Sequence, residues 1–305
     1  MEHTIDRFRL LRQSLTGTLL MDEPMSAHTS FRIGGPADFF YQPPDVDRLV
    51  KVQDICRREG IQWFVIGAGT DLLVSDAGYR GMVVDLGLGF RETVSRQNRV
   101  AAGAGTPLAD LLHYATQRGL SGMENLAGIP GQVGGCIRLN AGAFGSEIGD
   151  RLQRIRLLTA DGRVEERDRS SITMEYRRTD IPSDAVVLEG EFMLSDGNPK
   201  DMARIQQDVL NRRKEKQPVT VPSAGSVFKR PPGDYAGRLI EEAGCKGLRI
   251  GDAMVSKKHA NFIVNVRFAT AEDVLRLIEE VRERVLRRFG VALELEIELV
   301  GFEPA

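Results

Sequence analysis

The sequence predicts an α+β protein of two domains, the first over residues 1–198 and the second over residues 199–305. Three observations support this prediction. The chain has 305 residues, the length of about two domains of roughly 150 residues each. Amphipathic helical patterns are interspersed with short apolar runs of strand length. Near Asn198 a strand-like run gives way to a helix with a strongly basic end, which is typical of a domain connector.

The first domain contains helical and strand signals in turn. Apolar residues recur at spacings of three and four behind Asp45, a capping residue, and the pattern stops at Gly60, so this segment is predicted to be a helix. "QWFVIG" and "MVVDL" have the length and composition of strands. "PLADLLHYATQRG" predicts a second helix. Within residues 152–168, the pair Asp161-Gly162 between two extended runs predicts a β-hairpin, and "AVVLEGEFML" predicts a further strand.

The second domain begins with the helix "PKDMARIQQDVLNRRKEK". A short helix is predicted between Asp234 and Gly244. A longer helix is predicted to begin behind Thr270, with Asp273 completing a capping box. The tail "VALELEIELVG" alternates as a strand with two different faces. One face carries Leu293, Leu295, Ile297 and Leu299, and the other carries Glu294, Glu296 and Glu298.

Composition excludes several classes of protein. Lysine plus arginine total 41 against 43 acidic residues, so a net charge of -2 gives no general attraction to nucleic acid or to an acidic membrane. The three cysteines form no CxxC pair and the four histidines are scattered, so we expect a reducing compartment and no metal site. The first residues are charged, and no apolar run reaches the ~18 residues of a membrane span. We therefore expect a cytoplasmic protein, and the sequence gives no prediction of its oligomeric state.

Two glycine-bearing segments are candidates for ligand binding. "GAGTDLL" lacks the third glycine of a dinucleotide-binding fingerprint and leads into a strand, so it is either a tight turn or a loop of backbone donors facing a phosphate. Residues 128–150, "GIPGQVGGCIRLNAGAFGSEIGD", combine many glycines with apolar residues. A plain linker is the alternative, but linkers are usually polar, so the composition favours an ordered loop against a ligand.

In the stretch "PSAGSVFKRP", one serine, Ser226, lies between Gly225 and two cations, Lys229 and Arg230. These residues are compatible with an anion site beside a hydroxyl group. From the residue types alone, a basic turn that happens to contain a serine is at least as good an interpretation.

Seven blocks, taken together, resemble one known family. They are "TSFRIGGPADFF", "GAGTDLLVSDAGYRG", "GIPGQVGGCIRLNAGAFGSEIGD", "YRRTDIP", "QPVTVPSAGSVFKRP", "CKGLRIGDAMVSKKHANFIVN" and "LELEIELVG". They occur in the order seen in the UDP-N-acetylenolpyruvoylglucosamine reductase (MurB) family. The resemblance implies an FAD-binding domain of the vanillyl-alcohol-oxidase (PCMH) type, followed by a smaller α+β domain that binds a UDP-sugar substrate.

The resemblance also implies a reaction and residues that carry it out. In this family NADPH reduces FAD, the flavin passes a hydride to C3 of the enolpyruvyl ether of UDP-N-acetylglucosamine, and a protein group protonates C2 to give UDP-N-acetylmuramate for peptidoglycan synthesis. The family motifs assign the proton donor to Ser226, with Arg177 and Glu296 assisting. A fixed cation such as Arg177 would stabilise the charge that develops at C2 and on the carboxylate.

Ligand-binding residues follow from the same motifs. The FAD-binding residues implied by the resemblance are Gly67, Ala68, Gly69, Thr70, Asp71, Leu72, Leu73, Ile129, Pro130, Gly131, Val133, Gly134, Gly135, Asn140, Ala141 and Gly142. The candidates for the UDP-sugar are Tyr176, Lys216, Lys229, Arg230 and His259, each of which is otherwise an ordinary surface side chain.

The sequence departs from the family pattern at several positions. Thr70 and Asp71 replace a serine and an asparagine of the flavin loop, Arg230 replaces a common asparagine, and Glu298 replaces a common arginine. The short distance along the chain between Arg177 and Ser226 indicates the branch that lacks an inserted tyrosine loop. Two other functions stay open at this stage: an FAD-linked oxidase that passes electrons to oxygen, and a non-catalytic UDP-sugar-binding regulator.

Overall fold

The computed structural model describes residues 2–302, with side chains from residue 4 onward. Residue 1 and residues 303–305, which end the two predicted domains, lie outside the described residues. The chain forms two compact units that alternate along the sequence. The first unit contains the chain up to residue 21, residues 39–68 and residues 81–212. The second contains residues 22–38, residues 69–80 and the chain from residue 213 onward.

The α-helices vary from one turn and a half to five turns in length. They are α1 (Glu2–Ser14), α2 (Val46–Glu59), α3 (Leu108–Gln117), α4 (Val133–Arg138), α5 (Pro199–Lys216), α6 (Ala236–Glu242) and α7 (Ala271–Phe289).

The strands are mostly short. They are β1 (Thr18–Pro24), β2 (Pro36–Gln42), β3 (Trp63–Ile66), β4 (Leu72–Val74), β5 (Tyr79–Asp85), β6 (Thr93–Arg96), β7 (Arg99–Gly103), β8 (Leu120–Ser121), β9 (Gly142–Ala143), β10 (Ser146–Glu147), β11 (Leu152–Leu158), β12 (Val164–Asp168), β13 (Met174–Glu175), β14 (Arg178–Thr179), β15 (Val186–Met193), β16 (Ser195–Asp196), β17 (Arg249–Ile250), β18 (Ala253–Val255), β19 (Ile263–Asn265) and β20 (Glu298–Val300).

The first unit is built on a five-stranded antiparallel sheet in the order β12-β11-β15-β7-β6. A four-stranded sheet has the order β1-β2-β5-β3, and its β3–β5 pair is parallel from Trp63 and Met82 onward. Helix α4 packs against β15 because Gly190 has no side chain: a Cβ there would lie 2.5 Å from Cδ1 of Ile137. The core of this unit therefore fixes the short helix α4.

The second unit has a hydrophobic core of its own. Strands β17, β18 and β19 form an antiparallel sheet against α7, and α6 packs on the same helix. Strand β20 pairs in parallel with β4, from Glu298 opposite Leu72 to Val300 opposite Val74. Because burying one large apolar side chain contributes about 1.5–3 kcal/mol, buried residues such as Phe228 and Leu73 anchor these segments firmly.

Several local predictions are confirmed. Asp45 caps α2 by accepting a hydrogen bond from the Arg48 backbone N–H at 2.8 Å, and Gly60 ends that helix with a φ of 62°. The hairpin β11–β12 turns at Asp161-Gly162, and α7 begins with the capping box of Thr270 and Asp273. Each of these signals depends on residues that are close together along the chain, so the sequence is sufficient to predict the cap or turn.

The prediction of one regular strand over the tail is wrong. Residues 294–296 lie beside the segment that follows Ser226, and β20 then pairs with β4 instead. The change of partner shifts the alternation of buried and exposed side chains. Leu293 and Ile297 are buried as predicted, whereas Leu299 is 38% exposed and Val300 takes the buried position.

Within the described residues, no helix is both long enough and apolar enough to cross a membrane. The same part of the chain holds no group of three or more His, Cys, Asp or Glu side chains placed to bind a metal ion.

Candidate functional site

The glycine-rich segment of residues 128–150 is ordered by backbone hydrogen bonds in the first unit. The N–H groups of Val133 and Gly134 donate to the carbonyls of Thr106 and Ala104, both at 2.9 Å, and Leu108 N–H donates to the Gly131 carbonyl. Gly131 has a φ of 145°, which few other residues adopt. This geometry is that of a fixed loop and not of a flexible linker. The sequence analysis predicted the ordered loop but not the helix α4 inside it.

Two predicted cofactor-binding glycines have no packing reason to be glycine. A Cβ added to Gly135 would have no heavy atom within 4 Å, and one added to Gly67 would meet only the Gln132 side chain, at 3.6 Å. Gly134 differs, because its Cβ would lie 2.8 Å from that of Ala104. Glycine inside a helix costs about 1 kcal/mol relative to alanine. The open backbone at Gly135 and Gly67 therefore fits the close approach of a ligand.

A buried hydroxyl group lies next to the same helix. The side-chain oxygen of Thr106 is buried and has no hydrogen-bond partner among residues 4–302, while the carbonyl of the same residue is bonded to Val133. An unsatisfied buried polar group costs about 1–3 kcal/mol. A polar group bound against α4 can supply the missing partner. The residues present thus fit the FAD that the resemblance implies.

The other glycine-bearing segment runs from the first unit into the second. Gly69 has a φ of 60°, and a Cβ there would lie 2.0 Å from the His28 carbonyl oxygen, so the fold itself requires this glycine. Leu73 is fully buried in the core of the second unit, and Leu72 pairs with Glu298. The half-buried Thr70 and Asp71, the departures from the family pattern, lie between these two anchors.

Asn140 connects the glycine-rich segment to its surroundings. Its side chain is buried and donates to the Glu147 carboxylate at 2.5 Å and to the Glu175 carbonyl at 3.3 Å, while its oxygen accepts from Gly149 N–H at 3.2 Å. The amide group is therefore used for contacts inside the protein. Asn140 also has a φ of 43°, a left-handed conformation that asparagine tolerates better than most residues.

Tyr176 and Arg177 form the two-residue turn of the hairpin β13–β14 in the first unit. Arg177 has a φ of 57°, and its guanidinium lies 5.2 Å from the centroid of the Tyr176 ring. The hairpin is attached to the glycine-rich segment through the Thr179 hydroxyl, which donates to the Arg138 carbonyl at 2.9 Å. The structure thus brings the predicted cation to the region of α4.

The positive charge of Arg177 affects the pKa of a cysteine in that helix. Burial raises the pKa of the Cys136 thiol to about 12, and the nearby Arg177 guanidinium acts in the opposite direction. Because Coulomb interactions fall off with distance, this effect is consistent with the attachment of the β13–β14 hairpin to the end of α4 through Thr179 and Arg138. Tyr176 is 48% exposed, which leaves its ring accessible.

Ser226 lies in the second unit, between a glycine with a left-handed backbone and a buried residue. Gly225 has a φ of 78°, and a Cβ there would meet no atom within 4 Å. After the serine, Val227 and Phe228 are buried, and Val227 N–H donates to the Asn261 carbonyl at 2.8 Å. Ser226 itself is only partly buried, so a ligand can reach it.

Glu296 is held beside this segment. Its N–H donates to the Val227 carbonyl at 2.8 Å, and Lys229 N–H donates to the Glu294 carbonyl at 2.9 Å. The backbones of the predicted proton donor and the predicted assisting glutamate are therefore neighbours. Of the three glutamates that the sequence left equivalent, Glu294 and Glu298 are exposed, and only Glu296 is partly buried.

The predicted UDP-sugar residues of the second unit are placed at different depths. Lys229 and Arg230 are exposed, the first paired with Glu294 at 3.4 Å and the second stacked on the Tyr235 ring at 4.6 Å. Lys216 is exposed at the last position of α5. Lysine and arginine side chains can neutralise phosphate.

His259 is better suited to donate a hydrogen bond than to supply a charge. Burial lowers its pKa below the usual histidine value, and the positive charge of Lys246 acts in the same direction. Its Nδ1 accepts from Asn261 N–H at 3.3 Å, so the neutral ring carries its proton on Nε2. The position of His259 in the sequence is compatible with both roles.

Two residues that the sequence did not single out join segments far apart along the chain. Asn261 contacts the segment after Ser226, and the Asp76 carboxylate accepts from the N–H groups of Ala271 and Glu272, at 2.8 and 3.1 Å. The available signal for Asn261 was a polar residue inside the apolar run "ANFIV". For Asp76 no local signal exists, because its partners are far along the chain.

Two family models match the chain. Residues 37–167 match "FAD binding domain", and residues 217–300 match "UDP-N-acetylenolpyruvoylglucosamine reductase, C-terminal domain". Both glycine-bearing candidate segments lie in the first range, and Ser226, His259 and Glu296 lie in the second. Arg177 and Lys216 lie outside both ranges.

Individual relatives match over nearly the full chain. The UDP-N-acetylenolpyruvoylglucosamine reductase of Agathobacter rectalis is 43% identical, with 93% of this chain and 94% of the relative covered. A UDP-N-acetylenolpyruvoylglucosamine reductase 2 of Symbiobacterium thermophilum is also 43% identical, with 94% of each covered. The crystal structure of UDP-N-acetylenolpyruvylglucosamine reductase (MurB) from Thermus caldophilus is similar to this fold with a TM-score of 0.80, at 34% identity, over 94% of this chain and 99% of that chain.

Proposed function

The chain belongs to the UDP-N-acetylenolpyruvoylglucosamine reductase family, and on that premise we propose how its own residues carry out the family's reaction. It is an FAD-dependent oxidoreductase of peptidoglycan precursor synthesis that reduces UDP-N-acetylglucosamine enolpyruvate to UDP-N-acetylmuramate. The observation that carries this function is the 43% identity over nearly the whole length of both chains. The two glycine-bearing segments would hold FAD, which would supply the redox chemistry, namely hydride transfer from NADPH to C3 of the enolpyruvyl group.

The two glycine-bearing segments are the proposed FAD site. The open backbone at Gly135 and Gly67 supports close packing of a flat ring or a diphosphate, and the Thr106 hydroxyl supports a polar partner beside α4. The other proposed FAD-binding residues lie within Gly67 to Leu73 and Ile129 to Gly142. They position the backbone around Gly67, Gly135 and the Thr106 hydroxyl. The match of residues 37–167 to an FAD-binding family supports the same assignment.

Arg177 is the proposed electrostatic group. Arrival of a hydride at C3 leaves negative charge at C2 and on the carboxylate of the substrate, and a fixed guanidinium stabilises that charge as it develops. The tight β13–β14 turn and its attachment to the glycine-rich segment keep the cation in place. Tyr176, in the same turn, is the proposed substrate contact beside it.

Ser226 is the proposed proton donor to C2, and Glu296 assists the transfer. A hydride that originates from NADPH forms the new C–H bond at C3, the Ser226 proton forms the new C–H bond at C2, and the π bond between the two carbons is lost. The serine then regains its proton from solvent, so the step balances. A serine hydroxyl is a weak acid, and it therefore needs a strongly basic carbanion and an accurately held position. The hydrogen bond from Glu296 N–H to Val227 supports such a position.

The UDP-sugar is proposed to bind mainly to residues 199–305 and FAD mainly to residues 1–198. The two family matches support this division, although residues 69–73 of the flavin segment belong to the second compact unit. Lys216, Lys229 and Arg230 are the proposed phosphate partners, and His259 is a proposed hydrogen-bond donor.

NADPH is the proposed reductant and the cytoplasm the proposed location. All three cysteines, Cys56, Cys136 and Cys245, are buried free thiols, which supports a reducing compartment. A UDP-sugar and a reduced nicotinamide nucleotide are both cytoplasmic metabolites, so the chemistry of the reaction supports the same location.

Separate half-reactions test the role of Ser226. In anaerobic stopped-flow experiments, Ser226→Ala should be reduced by NADPH at the wild-type rate, because that half needs no proton at C2. Reoxidation by the enolpyruvyl substrate should slow by about 10²–10⁴-fold, the usual contribution of general acid catalysis. Ser223→Ala is the matched control, since the carbonyl of Ser223, and not its hydroxyl, holds Ser30. Equal reoxidation rates in the two variants would remove Ser226 from the mechanism.

A further inference from the structure

Asn261 contacts the segment after Ser226 through three hydrogen bonds. Its side-chain Oδ1 accepts from Phe228 N–H at 3.0 Å, and its Nδ2 donates to the Phe228 carbonyl at 2.8 Å. Its own carbonyl accepts from Val227 N–H at 2.8 Å. The Asn261 side chain thus serves both backbone polar groups of one residue, as a neighbouring strand would.

The opposite edge of the same segment is held by residues 294–296. Glu296 N–H bonds the Val227 carbonyl and Lys229 N–H bonds the Glu294 carbonyl. Asn261 is 7% exposed and Phe228 is 2% exposed, so water does not replace these bonds when they are lost. Leaving a buried donor or acceptor unpaired costs about 1–3 kcal/mol each, so the segment has a strong preference for this one arrangement.

On the other side of the serine the chain is held further away from it: Ala224 is buried, the Ser223 carbonyl accepts from the Ser30 hydroxyl at 2.7 Å, and the Pro222 carbonyl accepts from Asn265 N–H at 2.9 Å. Gly225 has a left-handed φ of 78° and open space around its Cα, so the backbone on that side of Ser226 is permissive. Because Gly225 separates Ser226 from those anchors, Val227 and Phe228 are the fixed residues directly joined to the serine. A misplacement of about 1 Å in a catalytic group can slow a reaction about 10²-fold.

We propose that Asn261 is a positioning residue that fixes the Ser226 hydroxyl for proton transfer to C2. This inference rests on the proposed role of Ser226. It predicts an effect on substrate-driven reoxidation only, with little change in KM and a clear fall in kcat, because the hydrogen bonds of the Asn261 side chain are made to Phe228 and not to a predicted FAD-binding or phosphate-binding residue.

The chain offers a matched control in Asn265. This residue is equally buried, at 5% exposure, and its side chain makes a similar set of bonds: Nδ2 donates to the Phe31 carbonyl at 3.0 Å, and Oδ1 accepts from Ala269 N–H at 3.0 Å. The two asparagines are therefore expected to contribute similarly to stability, but the side chain of only Asn261 bonds the segment after Ser226.

The experiment compares Asn261→Asp with Asn265→Asp in the full-length, FAD-loaded protein. Asn261→Asp keeps the shape of the side chain and loses the donor to the Phe228 carbonyl. We expect flavin reduction by NADPH within about twofold of wild type and reoxidation slower by about 10²-fold. Asn265→Asp should lower the melting temperature by a similar amount and change neither half-reaction by more than about threefold. Equal reoxidation rates in the two variants would overturn the proposal.

Two further readouts separate positioning from a general structural effect. In a Ser226→Ala background, Asn261→Asp should cause no further loss, since the group that it positions is gone. An additional loss of the same size would show that Asn261 acts by another route. Hydrogen exchange of residues 226–229 should be faster in Asn261→Asp than in Asn265→Asp, and this measurement needs no turnover. Equal exchange would contradict the proposed fixation.

These outcomes distinguish the inference from the proposed function. Normal reoxidation in Ser226→Ala would reject the role of the serine and with it the inference. Slow reoxidation in Ser226→Ala together with normal reoxidation in Asn261→Asp would reject the inference alone.

Discussion

Replacing Gly135 by alanine should stabilise the FAD-free protein and weaken FAD binding. In the structure the new methyl group meets no heavy atom within 4 Å, and Gly135 lies inside α4 with an ordinary helical φ. The gain expected from helix propensity and from the restricted unfolded chain is about 0.5–1 kcal/mol. If the cofactor packs on this open backbone, the same methyl group costs about 1–3 kcal/mol of binding free energy, or roughly 5- to 150-fold in Kd.

Gly134→Ala is the control on the adjacent residue. Its new Cβ would lie 2.8 Å from the Ala104 Cβ, so this variant should destabilise the FAD-free protein. Urea unfolding of the FAD-free variants measures the free energy of unfolding, and quenching of FAD fluorescence on titration with protein measures Kd. Unchanged FAD affinity in Gly135→Ala would show that the open face of α4 does not meet the cofactor. A loss of stability in the same variant would contradict the packing argument.

Three further predictions follow from the described contacts. Asp76→Ala and Thr270→Ala should each lower the free energy of unfolding by about 0.5–2 kcal/mol, since both remove caps of α7. Only Asp76→Ala should also weaken FAD binding, because Asp76 follows the predicted flavin-binding residues 67–73. Equal Kd values for FAD in the two variants would refute this. His259 has a lowered pKa in the folded state, so the unfolded chain binds more protons below the ordinary histidine pKa, and the free energy of unfolding should fall as pH drops below that value. The fall should be smaller in His259→Asn. An identical pH profile of stability in this variant would contradict the lowered pKa of His259. Burial raises the pKa of Cys56 and of Cys136 to about 12, so neither thiol should react with iodoacetamide at pH 8 until the protein is unfolded. Mass spectrometry measures the labelling, and rapid labelling of either thiol in the folded protein would refute this.

The elements that the sequence predicted well are those decided by neighbouring residues. The cap at Asp45, the turn at Gly162 and the capping box at Thr270 each depend on a few consecutive side chains. The tail strand was predicted less well, because its alternation depends on two different partners. Periodicity shows that a segment is extended, but not where it changes from one neighbour to another.

The candidate site shows the same limit. The resemblance to the family assigned roles to Ser226 and Glu296, whereas the partial burial that distinguishes Glu296 from Glu294 depends on tertiary packing. Asn261 was missed because its hydrogen bonds join residues 33 positions apart. Buried side chains that bond distant backbone are decided by the fold and leave only a weak signal in a single sequence.

The most direct test of the central claim is the colour of the purified protein during one complete cycle without oxygen. NADPH should bleach the yellow flavin, and UDP-N-acetylglucosamine enolpyruvate should then restore the colour in a stoichiometric step, with formation of UDP-N-acetylmuramate. A flavin that stays bleached in the presence of competent substrate, or a protein that remains colourless after FAD is added, would contradict the account.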